Sequence, residues 1–285
     1  MTKGQIILLA SAVGLVAALY FLMPVISEKH SPAQSGASRD KAAAEPDLSG
    51  FDIASYRSEQ LSALPAEVQE TIAQLNETLE TAEGTAKKEL LLEQKKLFLE
   101  NRMPILAAMT LVQIAEHEPE ADNWNSAGHL FMAIAVNEQD DASLADYAMQ
   151  QAIECYGKAL DLKPENVDYK INLASALMES GKETMQGVQM LLELLQQHPD
   201  NIPANLMLGR FGIVSGQYEK AMTRLEKVVK LDPTNTEAYF YLAEAYHGLG
   251  RKDDAIKAFE ICKKLVNDPG FSAEIDRYIQ KIKNS

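Results

Sequence analysis

The chain has 285 residues, with 46% hydrophobic and only 7% aromatic side chains, few glycines and prolines, and a formal charge of −14. That composition favours helices over sheets and is long enough for one or two domains. Residues 1–50 are electrically balanced (Lys3, Lys29, Arg39 and Lys41 against Glu28, Asp40, Glu45 and Asp47), so the remainder carries 23 basic and 37 acidic groups, a balance that repels phosphate backbones and excludes nucleic acid as a partner.

In chain order, the first predicted element is the run Ile6–Ile26, 21 consecutive uncharged and largely apolar residues. At 1.5 Å per residue it matches the roughly 30 Å hydrocarbon core of a bilayer, and it exceeds the apolar core of a cleaved signal peptide. Residues 6–26 are therefore read as a transmembrane anchor, with a signal peptide cleaved at a poor site around Val25-Ile26-Ser27 as the alternative. Lys29, Arg39 and Lys41 outnumber Lys3 and by the positive-inside rule would hold the body in the cytoplasm. The five-residue head before a long apolar run instead resembles a signal anchor, which sends the body across. The reading adopted is a single-pass membrane protein with an extracytoplasmic, periplasmic body, the cytoplasmic side standing as the alternative. Residues 27–57, rich in Ser, Ala and Pro at their start, are read as a flexible linker, because such a segment cannot bury enough apolar surface to offset its ordering entropy.

Residues 58–120 hold further helical patterns. In 64–82, Val68, Ile72, Leu75 and Leu79 share one face, and 86–101 and 104–119 form a pair. From there a fixed spacing governs the text. Ala221 and Ala255 stand 34 residues apart, as do Pro199 and Pro233, and Pro164 lies 35 before Pro199. The unit 202–235 contains Leu208-Gly209, Gly216, Ala221 and Pro233. The unit 236–269 contains Tyr239, Leu242-Ala243, Tyr246, Gly250, Ala255 and Phe259, with Pro269 two residues late. The unit 167–201 has Leu173-Ala174, Gly181 and Gly187, and the unit 121–166 has Trp124, Gly128, Ala152, Tyr156, Ala159 and Pro164. In this last unit the acidic segment 136–150, free of Gly and Pro, is predicted to lengthen the helices and add a loop. In 104–119, Ala107, Leu111, Ile114 and Pro119 repeat the offsets of Ala221, Leu225, Val228 and Pro233, which marks a degenerate unit. Residues 271–283 place Phe271, Ile275, Tyr278 and Ile282 at helical spacing, with lysines outside, as a cap that closes an exposed apolar face.

A 34-residue period with these small, aromatic and proline positions resembles the tetratricopeptide-repeat (TPR) family. The resemblance implies an all-α fold: an N-terminal transmembrane helix followed by a right-handed TPR α-solenoid with a C-terminal capping helix. It also implies that Tyr239, Tyr246 and Phe259 are packing residues, and that the inner positions of each first helix line a groove for protein. Those positions fall on Asn125, His129 and Met132, on Asp168, Ile171, Ser175 and Met178, on Leu206, Arg210 and Ile213, and on Glu237, Phe240, Glu244 and His247. Mixed apolar and polar side chains of this kind suit an extended peptide or a partner helix. The Lys-Asn-Arg set with which some TPR domains grip a terminal carboxylate is missing at these positions, where Arg210 stands alone.

Catalysis, cofactors and metals are not expected. His117, His129, His198 and His247 have no short metal-ligand spacing. No phosphate-binding or nucleophile motif is present, and Cys155 and Cys262 form no CxxC. Cys262 reads as an inert core thiol, and the two cysteines are too far separated in the repeat array for a disulfide. The anchor, linker and repeats together, and especially residues 179–222, resemble the bacterial anchored TPR factors of cytochrome c maturation, with the translocon-associated type as the alternative. The functional expectation is a non-enzymatic scaffold binding a protein or peptide partner while assisting assembly of a membrane or envelope complex. The rival is a self-associating solenoid, a homodimer that spaces membrane components.

Overall fold

A computed structural model describes residues 51–284, so the anchor at 6–26 and the first part of the linker lie outside the described residues. Every regular element described is an α-helix: α1 Ile53–Ser62, α2 Ala66–Thr81, α3 Gly84–Glu100, α4 Pro104–His117, α5 Ala121–Asn137, α6 Ala142–Leu162, α7 Val167–Glu179, α8 Thr184–Gln197, α9 Ile202–Val214, α10 Tyr218–Leu231, α11 Thr236–Gly248, α12 Lys252–Val266 and α13 Pro269–Asn284. No helix among the described residues is long and apolar enough to cross a membrane. The expected linker runs too far at its C-terminal end, because α1 begins at Ile53. Asp52 caps this helix by accepting from the Ala54 and Ser55 amides, and Phe51, Ile53 and Tyr56 pack against the α5–α6 core.

The punctuation of the repeats has a specific cause. Two residues after each of Pro164, Pro199 and Pro233 stands an asparagine whose side chain accepts from an amide three residues on. Asn166 bonds Tyr169 N at 3.0 Å, Asn201 bonds Ala204 N at 2.9 Å, and Asn235 bonds Ala238 N at 2.8 Å. Each proline ends one helix and the asparagine starts the next by satisfying a free N–H of its first turn. Between the two helices of a repeat, Gly181, Gly216 and Gly250 adopt φ of +70°, +71° and +73°, a conformation that costs a residue with Cβ about 1–2 kcal/mol.

The chain divides into two compact units, described residues up to Ala204 and Asn205–Asn284. In the first, neighbouring helices pack in sequence order, with α5 against α6 the most extensive pair. Phe131 (0% exposed), Tyr156, Trp124 and a row of fully buried alanines (Ala127, Ala148, Ala152, Ala159) form its core. Burying a side chain the size of Phe131 contributes about 1.5–3 kcal/mol, and the alanines let the backbones close around it. The acidic segment 136–150 does lengthen both helices, leaving only 138–141 as loop. There the Asp140 and Asp141 amides donate to Glu138, and Asp141 caps the 21-residue α6. Helices α3 and α4 pack against each other, with Ala107 and Ile114 of α4 buried. In α8, Gly187 is required because a Cβ there would stand 2.5 Å from the carbonyl oxygen of Ala174.

In the second unit, α9 and α10 approach through Gly209 and Gly212, whose missing Cβ atoms leave room for Leu225 and Ala221. Helix α12 packs between α11 and α13. Helix α13 turns Phe271, Ile275, Ile279 and Ile282 inward and its lysines outward.

Candidate functional site

In the first unit, α5 and α7 present the expected face. Asn125 and Met132 on α5 and Ser175 and Met178 on α7 are half-buried, His129 and Asp168 are exposed, and Ile171 is buried at 9% exposure. The face is organised by a chain of hydrogen bonds. Asn172 Nδ2 donates to Asn125 Oδ1 at 2.9 Å, Asn125 Nδ2 reaches His129 Nε2 at 3.0 Å, and His129 Nδ1 meets the Tyr156 hydroxyl at 3.0 Å. Because the Asn125 oxygen is taken by Asn172, its amide N–H must donate to Nε2. His129 is therefore the neutral tautomer with its proton on Nδ1, donating to Tyr156. Burial alone holds its pKa below the ordinary histidine value, and protonation would set an N–H against the Asn125 N–H. One turn earlier, Asp122 accepts from Tyr169 OH and from Lys163 Nζ, and its pKa is lowered first by the Tyr169 bond and then by Lys163.

The sequence reading missed Asp122, Tyr169 and Asn172. Tyr169 and Asn172 lie on the side of α7 that meets α5, where the repeat pattern carries no polar signature. Only the folded pairing of α5 with α7 reveals them.

The second unit does not present the same kind of face. Leu206, Arg210 and Ile213 on α9 are half-buried. Phe240 is no groove contact. At 4% exposure it lies in an aromatic cluster, with ring centroids 5.6 Å from Tyr241, 5.5 Å from Phe259 and 6.4 Å from Tyr278. Tyr278 belongs to α13, so the capping helix lies over the α11 residues expected to meet a partner. Glu244 has its pKa raised by burial, opposed by Lys281 of α13. Glu237 is likewise raised by burial and opposed by Arg210. His247 is pushed down by burial, then by Lys281 and Lys252, and its Nδ1 is buried without a hydrogen-bond partner. These polar groups are consumed by packing against α9 and α13.

No cluster of His, Cys, Asp and Glu that could hold a metal occurs among the described residues. Cys155 and Cys262 are free and buried, each thiol pushed up to about 12 by burial, so neither is a nucleophile at neutral pH.

Comparison with known families bears on this geometry directly. The family described as the Cytochrome c-type biogenesis protein H TPR domain matches residues 72–228, more than half the chain. The chain belongs to this family. Two general TPR families match 215–250 and 237–265. A Haemophilus influenzae protein named for cytochrome c-type biogenesis, CcmH, is 26% identical over 147 residues, 51% of this chain and 29% of its own length. Anaphase-promoting complex subunit 3 of Dictyostelium discoideum is 26% identical over 125 residues, 44% of this chain and 13% of its own. The chain thus spans less than a third of the curated relatives it matches. A tetratricopeptide repeat protein of Parabacteroides merdae superposes with a TM-score of 0.53 at 18% identity, covering 69% of this chain and 73% of its own, and shares the fold. This TPR chain therefore combines a family tied by name to cytochrome c-type biogenesis with a polar, pre-ordered α5–α7 face.

Proposed function

We propose that the protein is a membrane-anchored TPR adaptor that holds a peptide segment or helix of a partner protein during cytochrome c-type biogenesis. In this reading residues 6–26 anchor it, 27–50 tether it, and the repeats form a right-handed solenoid whose body lies outside the cytoplasm. The observation that carries the reading is the α5–α7 face. Asn125, His129 and Asn172 fix one another at 2.9–3.0 Å beside the half-buried Met132, Ser175 and Met178. Apolar contacts there would supply affinity, and a preset row of amides would fix register at small entropic cost. Leu206, Arg210 and Ile213 hold the same repeat positions in the other unit and are proposed separately as partner contacts there. Membership of the family supports the biogenesis context.

The test is copurification with the full-length chain from cells making c-type cytochromes. Met132→Glu with Ser175→Glu should lose the partner, whereas Gln189→Glu on the exposed side of α8 should keep it. Equal recovery from both variants would sink the proposal. A reporter fused after Ser285 settles the side of the membrane, and activity only as a cytoplasmic fusion would overturn the extracytoplasmic placement.

A further inference from the structure

The segment 136–150 interrupts the repeat and has no role in the α5–α7 face, yet the fold uses it. By extending α5 and α6 it builds an edge that carries Tyr147, and on this edge sits α1. The Phe51 ring lies 5.0 Å from Tyr147 and 5.3 Å from Tyr56, and Tyr147 in turn lies 6.4 Å from Phe131 at the centre of the core. Ile53 and Tyr56 complete the contact.

The seat is well formed, and α1 covers it with half-buried side chains. No side chain of α1 is fully buried. The helix and its cap carry two carboxylates, Asp52 and Glu59, against one cation, Arg57. The edge itself is acidic. Glu138 and Asp141 lie close enough to Tyr56 to add to the upward pull of burial on its hydroxyl, and Asp140 and Asp146 flank them. Asp146 is answered by Lys182 of the α7–α8 turn at 3.1 Å, whereas Arg57 lines a separate cleft with Asn76, Glu80 and Glu116. An aromatic seat with an acidic rim is therefore occupied by a short helix of net negative charge.

We propose that this α5–α6 edge is a second protein-docking surface, filled in the resting molecule by α1, and that its partner is a short basic helix bearing aromatic side chains, which displaces α1. The partner places aromatic and aliphatic groups where Phe51 and Ile53 sit and a cation beside Glu138 and Asp141. Among the described residues, the Phe51, Ile53 and Tyr56 contacts hold the start of α1 to this edge, whereas its end is held separately, by Leu61 against the Ile72–Phe98 cluster and by the turn 63–65, so the partner need displace only the first part of the helix. The charge mismatch is what favours a basic newcomer, since opposite charges at a rim add attraction and speed encounter.

The test uses the full-length chain in a mild detergent and two labelled peptides: residues 50–63, and the same peptide with Glu59→Lys. Phe51→Ala with Tyr56→Ala empties the seat. This variant should bind both peptides, the lysine form about two- to fivefold more tightly at low salt, with the difference shrinking as salt rises. The wild-type chain should bind each more weakly, and adding Tyr147→Ala should abolish binding. The proposal is overturned if a double variant of unchanged helical content binds neither peptide, if Tyr147→Ala leaves binding intact, or if the lysine peptide binds no better. Hydrogen exchange on the wild type serves where the double variant fails to fold. Amides of α1 should exchange by local opening, faster than those of α5, and equal protection would refute displacement. Concentration-dependent dimers cross-linked through Phe51→Cys and Tyr147→Cys would show that a second copy's α1 is the partner instead, and would overturn the basic-helix assignment.

Discussion

At the scale of single residues, the packing of this chain is decided where side chains are missing or charges are buried. Gly187 is the sharpest case. Its absent Cβ would stand 2.5 Å from Ala174 O and 2.7 Å from Met178 Cγ, and a backbone carbonyl cannot move aside as a flexible side chain can. Gly187→Ala should therefore destabilise by about 1–3 kcal/mol, measured by urea unfolding of the full chain, and an unchanged midpoint would show that α8 is free to shift. Arg102 is the opposite case: an exposed residue at φ +60° between α3 and α4. Arg102→Gly should stabilise by about 1 kcal/mol by relieving the left-handed strain.

Four titratable groups shifted by partial desolvation give a pH signature with two signs. His129 and His247 have lowered pKa values, burial first in each. Their contribution to stability is complete above the ordinary histidine pKa near 6.5 and is lost as pH falls below it, because only the unfolded chain then binds the protons. Glu237 and Glu244 are raised by burial. Their contribution is complete below the ordinary value of about 4.5 and is lost as pH rises through the raised one. Glu244→Gln should accordingly raise stability at neutral pH, and His129→Gln should flatten the decline between pH 6.5 and 5. Thermal melts across that range check both, and the wrong sign in either would discredit the burial argument.

At the scale of elements, the helix boundaries follow from local chemistry. Asn166, Asn201 and Asn235, each two residues beyond a proline, start α7, α9 and α11. Asn235→Ala should cost about 1 kcal/mol, and an unchanged melting temperature would remove the cap from the account. Much of this layer was legible in the sequence. The 34-residue spacing of alanines and prolines marked the repeat helices, and of Phe271, Ile275, Tyr278 and Ile282 all but the half-buried Tyr278 lie in the buried stripe of α13, with Ile279 beside them. Two elements were not legible, for a common reason. Helix α1 has no strong apolar period, so its place is fixed by the distant Tyr147 rather than by its own pattern. Phe240 occupies an inner repeat position, and only the approach of α13 with Tyr278 turns it from a contact residue into core. Tertiary neighbours decided both, and no local pattern records them.

At the scale of the whole molecule, the two units use the same repeat positions differently. In Asn205–Asn284 the inner residues Glu237, Phe240, Glu244 and His247 are spent on packing against α9 and α13. In the unit ending at Ala204, Asn125, His129 and Asn172 are locked to one another while Met132, Ser175 and Met178 stay half-open. Their exposure, rather than their repeat position alone, is why the α5–α7 face is the one proposed to hold a partner. The most direct measurement is site-specific photo-crosslinking in cells making c-type cytochromes, with a photoreactive side chain at Ser175, at Phe240 or at Gln189 of the full-length chain. The account predicts a partner adduct from Ser175 that weakens with Asn125→Ala, and none from Phe240 or Gln189. An adduct from Gln189 without one from Ser175 would contradict it.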